Sequence, residues 1–138
     1  RNFGAIVRSA ECAGVNAVVI PDKGGARLGG DAYKTSAGAL SIVPICREPN
    51  LFNAIKYLKN SGLQVVACTE KASQVLYEAD FTVPTVVLMG SEEDGIQKEY
   101  LKMADVMVKI PMFGSIASLN VSVATGVILY EAVRQRAK

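Results

Sequence analysis

Ile110-Pro-Met-Phe-Gly114-Ser-Ile-Ala-Ser118-Leu-Asn120-Val-Ser-Val-Ala-Thr-Gly126-Val-Ile-Leu-Tyr130 runs 21 residues without a charge between Lys109 and Glu131. Its length first brings a membrane span to mind. Pro111, Gly114, Ser115, Ser118, Asn120, Ser122 and Gly126 break the continuous apolar helix that a bilayer core requires, so no membrane partner is expected. The stretch divides instead into a Pro/Gly/Ser loop over 111–118 and a helix starting near Asn120, with Ser118 or Asn120 as its cap. The first turns of that helix are apolar or small on every side, which predicts a buried helix. Glu131, Arg134, Arg136 and Lys138 mark its emergence into water. A buried loop so rich in backbone polar groups calls for a bound polar ligand or an unusual chain crossing to satisfy them.

The 138 residues fit one domain, and half of them are hydrophobic, enough for a sizeable core. A formal net charge of +2 leaves the partner open. Cys12, Cys46 and Cys68 are spaced by 34 and 22 residues, which signals neither a disulfide framework nor a zinc site and fits a reducing, cytoplasmic setting. The absence of histidine removes the imidazole base, the Ser-His-Asp triad and most transition-metal sites together, so no metal is expected. The chain opens at Arg1 directly into a structured motif, and the expectation is a fragment whose first strand is missing.

Strands and helices alternate along the rest. Phe3, Ile6, Val7, Ala10 and Ala13 predict a helix over 2–14, with Gly4, Arg8 and Glu11 on its other face. That face reads either as a solvated ion pair or as Arg8 offered to an anion, with Gly4 favouring close approach. Residues 16–20 predict a strand, followed by a glycine-rich loop to about Tyr33 in which Lys23, Arg27 and Lys34 are either solvated or phosphate contacts. Residues 35–39 suggest one helical turn, 42–46 a strand, and 50–60 an amphipathic helix closed by Gly62. Strands are expected at 63–68, 85–89 and 106–110, a short helix near 75–78, and a helix from about Gln97. The strand at 85–89 runs into Gly90-Ser-Glu92-Glu-Asp94-Gly95, whose consecutive carboxylates disfavour phosphate; they suit a cationic or hydrogen-bond-donating ligand, or else cap the helix that follows. The alternation argues an α/β domain with a mostly parallel sheet flanked by helices.

Three segments in this order, Asn2-Phe-Gly-Ala-Ile-Val-Arg8-Ser-Ala, Val87-Leu-Met89-Gly90-Ser91-Glu92-Glu-Asp-Gly95-Ile, and Ile110-Pro-Met112-Phe-Gly-Ser-Ile-Ala-Ser118-Leu119-Asn120-Val-Ser-Val-Ala, resemble the motifs of the SpoU (TrmH-like) RNA ribose 2'-O-methyltransferases. The tail from Ser118 to Arg136 looks most like the branch that methylates a guanosine of bacterial 23S ribosomal RNA. The resemblance implies a C-terminal deep trefoil knot of the SPOUT type, an exception to the rule against threading. It implies S-adenosylmethionine as methyl donor, held by Thr69, Met89, Gly90, Ser91, Gly95, Ile110, Met112, Ser118 and Leu119, with no metal. It further implies a homodimer with the active site at the subunit interface, and residues 1–138 as a catalytic domain whose separate RNA-binding domain is absent.

The catalytic residues implied are Asn2, Arg8, Glu92 and Asn120. The family's proposal has the arginine take the ribose proton. A guanidinium resists deprotonation, so the reading favoured here has Arg8 hold the RNA phosphate and stabilise the developing alkoxide, with Asn2 and Asn120 orienting neighbours and Glu92 fixing Arg8 or Asn120. Glu93 stands where the family usually has glycine, which puts the geometry of that loop in question. The alternatives are a catalytically silent RNA- or S-adenosylmethionine-binding module on the same fold, or a tRNA 2'-O-methyltransferase.

Overall fold

The computed structural model describes residues 2–22, 29–91 and 93–137, leaving aside the side chain of Tyr33. Two compact units divide the chain, Arg1–Leu51 and Phe52–Lys138. Every strand ladder among the described residues is parallel, and helices separate the strands, so the architecture is mixed α/β.

In the first unit, helix α1 (Asn2–Cys12) turns Gly4, Val7 and Ala10 inward. Gly14 ends it at φ +79°, the left-handed conformation that glycine adopts without strain. Strand β1 (Val18–Pro21) pairs in parallel with β2 (Ile45–Glu48). Helix α2 (Gly30–Thr35) and a 3₁₀ turn, Ala39–Ser41, lie between them in sequence. The helix α2 was not expected within a glycine-rich loop, and β2 begins three residues later than residue 42. Pro44 accounts for the shift: it has no N–H to give a ladder, its carbonyl takes the Val18 N–H at 2.9 Å, and the strand starts after it. Val7, Ala39 and Val43 form the core here, with Phe3, Val18, Leu40 and Ile45 packed around them.

Gly4 has a different use from the one its neighbour Arg8 suggested. A Cβ at Gly4 would stand 2.4 Å from the Ala32 carbonyl oxygen and 2.8 Å from Thr35 Cβ, so its missing side chain is what lets α1 and α2 touch. Gly4→Ala is therefore expected to lower stability by about 1–3 kcal/mol, the range for overpacking a fitted contact. Urea unfolding checks this, and an unchanged midpoint would contradict the contact.

The second unit opens on helix α3 (Leu51–Asn60), whose inward face centres on Ile55 and which is followed by Gly62 at φ +99°. Strands β3 (Gln64–Cys68), β4 (Gln74–Val75), β5 (Thr85–Leu88) and β6 (Val106–Lys109) form one sheet in the order β4-β6-β3-β5. A 3₁₀ turn, Leu76–Glu78, follows β4, and the one-turn helix α4 (Lys98–Leu101) precedes β6. Val66, Leu76, Phe81, Val108 and Ile128 are wholly buried together.

Helix α5 (Val121–Arg136) supplies Ile128 to that core. It is not buried all round: Val123 is 51% exposed and Tyr130 47%. Glu131, expected to mark the exit into water, is buried, and it stays charged because Arg134 donates to both its oxygens at 2.8 Å and Gln135 adds a third bond. The side chains of Gln135 and Arg136 bond the backbone of Ala79, Phe81 and Val83 at 2.7–2.8 Å, fixing the end of α5 on that segment. No described helix is long and apolar enough to cross a membrane.

Candidate functional site

Parallel register sets the carboxyl ends of three strands of the second unit side by side, Ala67 opposite Leu88 and Cys68 opposite Val108. Ligands of α/β proteins gather at such strand ends. Thr69 leaves β3 with its N–H still on the Val108 carbonyl at 2.9 Å, and turns at once, its hydroxyl accepting from Lys71 N–H at 3.2 Å and its carbonyl from Ala72 N–H at 3.1 Å. Met89 and Ile110, the residues just past β5 and β6, both pack on the core beneath.

The loop after β5 is built around Gly90. A Cβ there would fall 2.3 Å from the Gly95 carbonyl carbon and 2.5 Å from the Ile96 nitrogen, so the chain doubles back onto its own backbone. Ser91 closes the turn: its carbonyl accepts from Gly95 N–H at 2.9 Å and its hydroxyl from Asp94 N–H at 3.1 Å, with Gly95 at φ +67°. Glu93 and Asp94 point their charge to solvent. Glu92 lies outside the described residues, as do Lys23 and Arg27.

The loop after β6 is open to solvent along residues 112–120, contrary to the burial its uncharged composition suggested. Phe113 is 95% exposed and Ile116 78%, while Met112 and Leu119 are partly covered. Ser118 is exposed beside Leu119. Asn120 caps α5 as expected, its side-chain oxygen accepting from Ser122 N–H at 2.9 Å and from the Ser122 hydroxyl. The positive end of the α5 dipole thus adjoins this loop.

Thr69, Met89, Gly90, Ser91, Gly95 and Ile110 therefore come together on one sheet edge, and Met112, Ser118, Leu119 and Asn120 are strung along the loop that leaves it. Asn2 and Arg8 belong to the other compact unit, where both are exposed on α1. Arg8 makes no ion pair among the described residues, so the alternative pairing with Glu11 is not formed.

Burial, and then the charge of Glu70, pushes the Cys68 thiol up, which keeps it protonated and unsuited to nucleophilic work. No group of three or more His, Cys, Asp or Glu among the described residues could hold a metal. Sequence reasoning passed over the residues that hold the frame. Asp105 accepts from Val65 N–H at 2.8 Å and pairs with Lys59 at 3.4 Å, and these bonds, the backbone one first, hold its carboxyl below the usual range. Glu131 is lowered likewise, by Arg134 and then Gln135. A lowered folded pKa stabilises above the unfolded value and is lost as pH falls through the folded one. Stability should accordingly drop below about pH 4, the unfolded carboxylate range. Asp105→Asn should have a lower urea midpoint than the unmodified protein at pH 7 and a smaller deficit at pH 3; a deficit constant with pH would contradict the assignment.

Comparison with known proteins adds to this geometry. The family model described as "SpoU rRNA Methylase family" matches residues 1–130. The 23S rRNA (guanosine-2'-O-)-methyltransferase RlmB of Photorhabdus laumondii is 44% identical over 135 residues, 98% of this chain and 55% of that protein. Among solved structures, the A. aeolicus TrmH/SpoU tRNA modifying enzyme superposes with a TM-score of 0.88 at 39% identity, covering 98% of this chain and 68% of that one. The SpoU methyltransferase AviRb from Streptomyces viridochromogenes, solved in complex with AdoMet, gives 0.88 at 32% identity over 98% of this chain and 55% of its own. The chain spans about half the length of the curated relatives it matches.

Proposed function

Since the chain belongs to the SpoU rRNA methylase family, we propose that it is the catalytic domain, residues 1–138, of an S-adenosylmethionine-dependent enzyme that methylates a ribose 2'-hydroxyl of RNA, a guanosine of bacterial 23S ribosomal RNA. The observation that carries this reading is the side-by-side placement of the carboxyl ends of β3, β5 and β6, from which Thr69 and the second and third motifs lead off. The relatives named for the 23S guanosine reaction support the choice of acceptor.

The residues present fit the donor. Gly90 keeps backbone groups accessible where any side chain would collide, Met89 and Ile110 offer an apolar floor, and Met112 and Leu119 are partly exposed apolar groups suited to the adenine face. Exposed Glu93 and Asp94 favour a cationic ligand over a phosphate. When bound, the donor supplies an electrophilic methyl group on a sulfonium. This chain's part is positioning and charge: Arg8 holds the RNA phosphate and stabilises the alkoxide that forms as the 2'-hydroxyl gives its proton to solvent water. Asn2 and Asn120 orient neighbouring groups, and Glu92 fixes Arg8 or Asn120.

The same reading includes a deep trefoil knot, a homodimer and a cytoplasmic setting. In support of the knot, β6 is inserted between β3 and β4, so the 69–73 connection spans the end of a strand laid down later in the sequence. Exposed Phe113, Ile116, Val123 and Tyr130 favour a dimer, since apolar surface of that extent gains by being covered. Three free cysteines suit a reducing compartment. Calorimetry with S-adenosylhomocysteine, run beside tritiated methyl transfer to unmodified ribosomal RNA, tests the proposal. Heat with transfer is expected; heat without transfer to any RNA means a silent binding module, and no heat removes the donor site.

A further inference from the structure

Helix α3 carries a face that neither the core nor the donor loops use. Its ten residues, Leu51–Asn60, contain two lysines and no carboxylate. Spacing of four and then three residues puts Phe52, Lys56 and Lys59 on one stripe, and Tyr57, five residues after Phe52, stands at the far margin of the exposed face. Ile55 is buried, whereas Phe52 is 38% exposed and Tyr57 71%. Lys59 is engaged: its ammonium donates to the Met103 carbonyl at 2.8 Å and lies 3.4 Å from Asp105, the acid that faces this stripe from the neighbouring segment. That tether brings Lys102, exposed and one residue before Met103, to the same end of α3. Neither Lys56 nor Lys102 has a carboxylate partner among the described residues.

An exposed helix face that carries both aromatic rings and cations has a defined chemical complement. Phosphates are attracted to the lysines, and an unstacked base lies on the ring, which accepts any base because every base has a π-face. We infer that the Phe52–Lys56–Tyr57 face of α3, extended by Lys102, binds a single-stranded segment of the RNA substrate outside the methyl-transfer site. The inference rests on the proposed function for its substrate class and adds a second contact surface to it.

Fluorescence anisotropy with a labelled single-stranded RNA, using the full-length protein, tests it beside S-adenosylhomocysteine calorimetry. Tyr57→Ala and Lys56→Glu should each weaken RNA binding about tenfold, as expected for one stacked base or one phosphate contact. Lys56→Glu should also reduce the slope of log affinity against log salt by about one. Tyr57→Phe should keep the unmodified affinity, since stacking needs the ring and not the hydroxyl. All variants should bind S-adenosylhomocysteine like the unmodified protein, which confirms their folding. Unchanged RNA affinity in both Tyr57→Ala and Lys56→Glu would overturn the inference, as would a shift from dimer to monomer in sedimentation, which would make the face a contact between copies. If the unmodified protein binds no S-adenosylhomocysteine while the variants still lose RNA, the methyltransferase reading fails and this surface stands.

Discussion

Gly90→Ala should weaken donor binding by about two orders of magnitude or more while leaving most of the fold in place. The added Cβ would sit 2.3 Å from the Gly95 carbonyl carbon and 2.5 Å from the Ile96 nitrogen, and both are backbone atoms that no side-chain rotation can move aside. The turn must open, and opening it breaks the bonds from Ser91 to Gly95 and Asp94. Relieving such a clash costs about 1–3 kcal/mol, and each lost hydrogen bond about 1 kcal/mol. If the donor requires the closed turn, that sum opposes binding, which weakens on the order of 100- to 1,000-fold at a factor of ten per about 1.4 kcal/mol. Gly30→Ala is the control, because a Cβ there meets nothing within 4 Å. Calorimetry with S-adenosylhomocysteine reads both variants, and equal affinity in Gly90→Ala would show that the donor does not depend on this turn.

Arg8→Ala should separate binding from chemistry. Arg8 is exposed and makes no ion pair among the described residues, so its truncation should change stability by no more than about 0.5 kcal/mol. If the guanidinium stabilises the charge that develops on the ribose oxygen, methyl transfer should fall on the order of 100- to 1,000-fold, the usual cost of removing one such donor. Donor affinity should stay where it was. Arg8→Lys should recover part of the rate and not all, since an ammonium keeps the charge and loses the planar fork that grips a phosphate. Single-turnover transfer from tritiated donor checks this, and equal rates for Arg8→Ala and the unmodified protein would discard the role.

Legibility in the sequence followed the range of the interactions. Helix α3 and the Asn120 cap were readable because their signals, helical spacing with Gly62 after it and an asparagine two residues before Ser122, are local. Strands β3, β5 and β6 were readable from short Val-rich runs, whereas the two-residue β4, Gln74–Val75, was not. The role of Gly4 was not, because its contact, Ala32, is 28 residues away. Nothing local announces that Glu131 is buried, since its burial depends on α5 lying over the core and on Arg134 and Gln135 closing around it. The loop over 112–120 departs in the other direction: its lack of charge predicts burial, yet Phe113 and Ile116 stand in solvent. At the site, the tight return at Gly90 is not legible in the sequence, because it depends on Gly95 folding back onto it.

Methyl transfer to the sugar oxygen defines the proposed activity. Ribosomal RNA lacking the modification, incubated with full-length protein and labelled donor and then digested to nucleosides, locates the methyl group by mass spectrometry. The label is predicted on the ribose of a guanosine; label on a base, or an RNA left unlabelled by protein that binds S-adenosylhomocysteine, would contradict it.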